Sequence, residues 1–193
     1  MHLLRIHFGG RWHLHSLNDL FTIIEELYTI AFYIDNPSEV GNENILRILL
    51  GTFKENSYRI NEPRETEYYI YPYRTNPKSY LEVIRIEYGS PGITDLTGIG
   101  KIIEQIKDLI IEFFKMREGR RMRHLQEREK EIQIAEDEYK LVRMFLKDIH
   151  RLRLNDTEIE LLERRIINSL QRLEWYKDKM LLEKITSTRD KGY

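Results

Sequence analysis

The sequence of 193 residues contains no cysteine. This absence rules out disulfide bonds, thiolate metal sites and a cysteine nucleophile. It is also compatible with a reducing compartment such as the cytoplasm.

Long apolar runs are missing as well. The two most apolar stretches, Leu20 to Ile34 and Ile99 to Phe114, are interrupted by charged residues within a few positions. A membrane-spanning helix needs about 20 predominantly apolar residues, so no transmembrane segment is predicted. Residues 1 to 10 are too short and too quickly polar for the apolar region of a secretory signal. We therefore expect a soluble protein in the cytoplasm.

Familiar catalytic motifs are absent from the sequence. There is no Gly-x-Ser-x-Gly nucleophile motif, no His-Glu-x-x-His zinc motif and no Rossmann glycine pattern. Most acidic residues fall on amphipathic helical segments, as expected for solvated faces. We therefore predict no catalytic residues and no cofactor, and we interpret the protein as non-enzymatic.

Charged residues are abundant: they make up 33% of the chain, beside 41% hydrophobic residues and a net charge of -1. A typical soluble domain is about one quarter charged. The surplus indicates long, exposed helices.

The N-terminal region predicts a strand followed by a helix. Apolar and polar residues alternate from Leu4 to Phe8, which is the period of a half-buried strand. Two glycines then indicate a turn, and a second short strand is predicted at Arg11 to His15. An amphipathic helix should begin at Ser16 and end before Asn36-Pro37, because the residue preceding proline disfavours the α conformation.

The middle of the chain predicts a small antiparallel sheet. A short helix is expected from Glu43 to Phe53, and strands are expected at Glu67 to Tyr73 and Tyr80 to Tyr88. Helices would cover the apolar side of the sheet. Residues 1 to 115 are therefore predicted to form an α+β domain that includes the first part of a long helix.

That long helix is predicted to begin at Thr94, which can cap it. Apolar residues from Ile99 to Met116 recur at spacings of three and four, as one helix face requires. The pattern lapses after Gly119 and resumes in another phase at Ile132. This mismatch implies a stutter, a kink or a break at Gly119.

A second long helix should follow a turn in which Asn155 and Glu158 have capping-box spacing. Because the connection is short, the two helices should be antiparallel neighbours. We predict an antiparallel coiled-coil helical hairpin at 116 to 186, which projects from the domain or pairs with another chain, and a disordered tail at 187 to 193. The predicted oligomer seam comprises Ile132, Tyr139, Val142, Leu146, Ile149, Leu162, Ile166, Leu173, Tyr176 and Met180.

The hairpin suggests a function in protein–protein interaction or oligomerisation, with a second copy or another protein as partner. The alternative is nucleic-acid binding by the basic segment 115 to 130. Its cations are Lys115, Arg117, Arg120, Arg121, Arg123 and Arg128. Aromatic residues are missing from this segment and glutamates interrupt it, so a solvated helix face is the more ordinary interpretation.

Two weaker motifs also have alternative interpretations. His13 and His15 would point to the same side of a strand and could supply half of a metal site, although no third ligand is evident. Gly98 and Gly100, followed by Lys101, resemble a phosphate-binding turn but lack the spacing of a P-loop. We favour a polar strand face for the histidines, and close packing of a helix start for the glycines.

Overall fold

A computed structural model describes residues 2–39, 81–87, 92–121, 127–179 and 181–189, with the backbone alone at 39, 119–121, 127–132 and 189. The helix predicted from Glu43 to Phe53 and the strand predicted from Glu67 to Tyr73 lie outside these ranges. Within them the chain is mixed α/β, with four strands in one antiparallel sheet and four α-helices.

The last strand of the chain pairs with the first. In chain order they are β1 (His2–Phe8), α1 (Leu14–Asp35), β2 (Glu82–Glu87), β3 (Gly92–Gly98), α2 (Gly100–Arg121), α3 (Glu127–Phe145), α4 (Asp156–Asp178) and β4 (Leu182–Arg189). The strand order in the sheet is β2-β3-β1-β4. The N-terminal strand therefore lies between β3 and the C-terminal strand.

β1 confirms the strand predicted from the alternating pattern. Leu4 lies opposite Leu96 of β3, and Ile6 lies opposite Ile185 of β4. All four side chains are buried. Because successive side chains of a strand point to opposite faces, these residues give the sheet one continuous apolar face.

The sheet and the helices share one hydrophobic core. α1 and α2 each bury a broad apolar face, and α4 packs against α1, α2 and α3. Val142 of α3 and Ile166 of α4 belong to the same buried cluster as Ile6 of the sheet. The helices of the predicted hairpin therefore lie on this core instead of projecting from it.

The strand predicted at Arg11 to His15 is wrong. α1 begins at Leu14 and ends at Asp35, so its predicted end before Asn36-Pro37 is confirmed. The residues before α1 are fixed by Trp12, whose indole nitrogen donates to the carbonyl oxygens of Gly9 at 3.0 Å and Leu181 at 3.2 Å. Tertiary contacts of this kind override a five-residue alternation.

The predicted helix start at Thr94 is also wrong, because Thr94 lies within β3, opposite Ile6 of β1. The helix begins at Gly100, six residues later than expected. β3 has few typical strand residues. It is stabilised by pairing with β1 on one side and β2 on the other, and the preference for a strand depends on such context.

The predicted hairpin ends too late in the sequence. α4 ends at Asp178, and residues 182–189 form β4 instead of continuing a helix and then a tail. Leu182 and Ile185, which lie inside the predicted hairpin, are buried against the core in this strand. Near the other end of the hairpin, the backbone stays helical through Gly119 to Arg121, and residues 122–126 lie outside the described part.

The capping box predicted at the start of α4 is confirmed. The side-chain oxygen of Asn155 accepts a hydrogen bond from the Glu158 amide at 3.0 Å, and the Glu158 carboxylate accepts one from the Asn155 amide at 2.8 Å. These bonds satisfy two amide groups that the helix itself leaves unpaired.

We expect Asn155→Ala to lower the free energy of unfolding by about 1 kcal/mol, because alanine offers no acceptor to the first turn of α4. Urea denaturation would measure the loss. Asn155→Asp retains an acceptor and is the matched control, for which little change is expected. Equal stability of the alanine variant and the wild type would show that the cap is not needed.

Candidate interaction site

Most residues of the predicted oligomer seam are buried within the chain. Tyr139 and Ile149 are half-buried, and the side chains of Ile132 and Met180 are outside the described part. The remaining six residues of the seam are buried in the core: Val142, Leu146, Leu162, Ile166, Leu173 and Tyr176. A partner helix could reach them only if the core opened.

α3 and α4 lie antiparallel, as two polar contacts between them show. Arg143 near the end of α3 bonds to Glu163 near the start of α4, at 2.9 Å. Glu138, one turn earlier on α3, accepts a bond from Gln171, two turns later on α4, at 3.0 Å. The buried seam residues lie between these two helices and the rest of the core.

A groove of about 810 Å³ runs along another face of α3. The residues that line it recur at spacings of three and four, so they share one side of the helix. They are Ala135, Glu136, Tyr139, Lys140, Arg143, Met144 and Lys147.

The floor of the groove is apolar. Met144 is 65% exposed. Tyr139 and the small Ala135 continue the apolar surface towards the start of α3. Methionine adapts its shape to different partners and is common on binding surfaces, and exposed apolar patches frequently mark such surfaces.

The rim of the groove is mainly cationic. Arg143 lies 5.9 Å from the Tyr139 ring, and its hydrogen bond to Glu163 raises the pKa of its guanidinium. Lys140 and Lys147 form no ion pair with any described residue; Lys140 lies on α3 and Lys147 lies in the turn that follows it. The groove therefore combines an apolar floor with two lysines whose charge is available to a partner.

Two cations of the basic segment, which is the alternative predicted site, form ion pairs within the chain. Lys115 pairs with Glu112 at 2.7 Å, and Arg117 pairs with Glu174 at 2.7 Å and Glu138 at 3.1 Å. Arg117 thus connects α2, α3 and α4. The side chains of the other four cations lie outside the described residues: Arg120, Arg121, Arg123 and Arg128. Nucleic-acid binding stays a prediction that depends on them.

The two histidines are not brought together. His13 precedes α1 at its N-cap position, without a side-chain capping hydrogen bond, and His15 lies in the first turn, so they do not share a strand face. Residues two apart on a helix do not face each other. Among the residues whose placement is described, no cluster of three or more His, Asp or Glu could hold a metal ion.

The glycines before Lys101 permit close packing, which confirms that interpretation. A Cβ atom at Gly98 would lie 2.8 Å from the Tyr28 ring, and one at Gly100 would overlap the His2 ring. The Tyr28 hydroxyl accepts a hydrogen bond from the Ile99 amide at 2.9 Å. Lys101 pairs with Asp35 at 2.8 Å. The lysine is thus used within the fold.

Sequence reasoning missed the charged groups inside the helical layer. Glu26 of α1 bonds to Arg165 and to the hydroxyl of Ser169, both on α4. Burial raises the pKa of the Glu26 carboxyl and lowers the pKa of the Arg165 guanidinium, and the attraction between them offsets each shift only in part. The sequence signal for this buried charge is a glutamate within the apolar stretch of α1. Such contacts stabilise one arrangement of the helices and provide no reactive centre.

The sequence matches no protein-family model, and neither the curated proteins nor the solved structures compared with it give a significant match. No described helix combines the length and the apolar character needed to cross a membrane. The cytoplasmic location stays a prediction from composition.

Proposed function

We propose that this protein is a non-enzymatic protein-interaction module. Its C-terminal helical hairpin, with α3 and α4 packed as a coiled coil, presents the α3 groove to an amphipathic helix of a protein partner. The observation that carries the proposal is the exposed Met144 on the floor of a groove of about 810 Å³. Amphipathic helices bind such grooves through apolar residues at spacings of three, four and seven.

The charge of the rim favours an acidic partner helix. Lys140 and Lys147 both line the groove, so each can contact an acidic residue of a helix bound there. The groove carries one acidic residue of its own, Glu136, at the end nearer the start of α3. Charges on a rim contribute mainly to the choice of partner and to the rate of association, while the apolar floor contributes most of the affinity.

A pair of designed peptides tests the proposal. Both are amphipathic helices with leucines on one face, and they differ only in carrying glutamate or lysine on the other face. Fluorescence anisotropy of the labelled peptides with the full chain, at low salt, should show tighter binding of the acidic peptide. Met144→Glu should weaken that binding by about tenfold or more, because it places a charge on the apolar floor.

Leu161 provides the matched control, because it is an exposed leucine on α4 that does not line the groove. Leu161→Glu should leave the binding of the acidic peptide unchanged. Lys140→Glu combined with Lys147→Glu should reverse the preference between the two peptides. Equal binding of both peptides, or equal weakening by Met144→Glu and Leu161→Glu, would count against the groove as a docking site.

A further inference from the structure

A second surface without a described partner lies along β2, at one edge of the sheet. β2 pairs with β3 on one side, and no described strand pairs with its other side. All six of its residues are exposed, including Val83, Ile84 and Ile86. The free edge of a strand carries unpaired amide and carbonyl groups that can pair with another strand.

A bulge divides β2 into two parts that pair regularly with β3, residues 82–83 and 85–87. The pairing with β3 shifts between Val83 and Arg85, and is then regular at Arg85, Ile86 and Glu87. In this part, Arg85 and Glu87 share one face of the sheet, and Ile86 lies on the other. The two charged residues already form an ion pair within the strand.

This pattern is self-complementary in one register. An antiparallel copy of β2, related by a two-fold axis through Ile86 and perpendicular to the sheet, would place Arg85 opposite Glu87 twice. It would also place Ile86 against its own equivalent. An axis through Arg85 would instead place arginine opposite arginine, which is destabilising, whereas opposite charges across a strand pair are favourable.

We propose that a second copy of this chain pairs along β2 in this register, so that the two sheets join at their edges in a two-fold dimer. Symmetric dimers of this kind use the same surface on both subunits. The site differs from the α3 groove: β2 packs within the sheet, whereas α3 packs against α2 and α4. Either proposal can fail without the other.

Because few residues can pair along β2, the dimer should be weak and its population should depend on concentration. β2 has six residues, a bulge interrupts its pairing with β3, and three charged residues lie along the strand. Bulges and charges are features that limit pairing at sheet edges. They also restrict pairing to a register in which the charges match.

Charge exchange tests the proposal in the full chain. Sedimentation velocity over a range of concentrations should show a monomer–dimer equilibrium for the wild type. Arg85→Glu alone and Glu87→Arg alone should each weaken the dimer by about tenfold or more, because like charges then face each other in both symmetric pairs. The double variant Arg85→Glu/Glu87→Arg should restore the wild-type equilibrium.

Mixing the two single variants provides a second readout. A mixture of Arg85→Glu and Glu87→Arg chains should form a heterodimer, because each copy then supplies two charges that match those of the other. Lys184→Glu, on an exposed residue of β4 at the other edge of the sheet, should not change the equilibrium. Circular dichroism would show that each variant is folded.

Three results would overturn the proposal. One is a wild type that stays monomeric at every concentration tested. Another is a dimer that neither single charge reversal weakens. The third is a double variant that stays as weak as the single ones. A dimer lost in Met144→Glu but kept in Arg85→Glu would place the contact at the α3 groove instead.

Discussion

Glu26→Leu is expected to lower the free energy of unfolding by about 3–5 kcal/mol, the usual cost of removing one partner of a buried ion pair. Glu26 is 6% exposed, and its carboxylate bonds to Arg165 and to the Ser169 hydroxyl. In this variant the largely buried Arg165 guanidinium loses its bond to the Glu26 carboxylate. Arg165→Met should have a similar cost, since it leaves the carboxylate without its cation.

The double variant Glu26→Leu/Arg165→Met should be close to the wild type in stability. Replacing both partners removes the cost of burying two charges, and apolar side chains of similar size can fill the space. Urea denaturation of the four proteins gives the coupling energy directly. A double variant that loses the sum of the two single losses would show that the pair does not act as a unit.

The difference in unfolding free energy between the double variant and the wild type should also depend on pH, and the titration of Glu26 sets the direction of that dependence. Burial raises the pKa of this carboxyl in the folded chain above its unfolded value. A raised pKa contributes stability that is fully present below the unfolded pKa, about 4.3, and is lost as the pH rises through the folded pKa. The double variant lacks this group. Its stability relative to the wild type should therefore increase from pH 4 to pH 7, and a relative decrease would contradict the direction of the shift.

The sequence could predict elements that local signals specify. β1 follows from alternation between Leu4 and Phe8, and the end of α1 follows from the proline at 37. The start of α4 follows from Asn155 and Glu158. Each of these signals lies within a few residues of the feature that it predicts, so distant parts of the chain need not be known.

β3 and β4 could not be predicted in the same way. Thr94 is a good helix cap by residue type, yet β1 and β2 pair with the strand that contains it. Leu182 and Ile185 lie within the helical hairpin predicted to extend to 186, although they belong to a strand. In both cases β1 provides contacts from about 90 or more positions away, as with Arg5 of β1 and its 2.7 Å ion pair with Asp95 of β3.

The candidate site could be predicted only in part. Patterns of apolar and charged residues assign glutamate to the surface, whereas Glu138 and Glu163 are buried between helices. The charge pattern assigns Arg117 to a surface cation cluster, although its side chain joins three helices. Met144 lies outside the heptad seam and was not considered. Its position on α3 beside Tyr139 was the signal that could have indicated the groove.

Gly98→Ala is expected to lower the free energy of unfolding by about 3 kcal/mol, combining overpacking with a lost hydrogen bond. The new Cβ atom would lie 2.8 Å from the ring and the hydroxyl of Tyr28, which is fully buried. The ring would have to move, and the Ile99 amide would lose the hydroxyl that it bonds at 2.9 Å. Urea denaturation would measure this loss.

A second background separates the clash from any general cost of alanine at this position. In Tyr28→Leu the space beside Gly98 is open, so adding Gly98→Ala should cost less than about 1 kcal/mol more. Gly10 is the control: its φ of 62° makes alanine unfavourable there for reasons of backbone conformation, and its nearest neighbour is Leu181. The cost of Gly10→Ala should be the same with tyrosine or leucine at position 28. If Gly98→Ala also cost the same in both backgrounds, contact with Tyr28 would not be what requires glycine at the junction of β3 and α2.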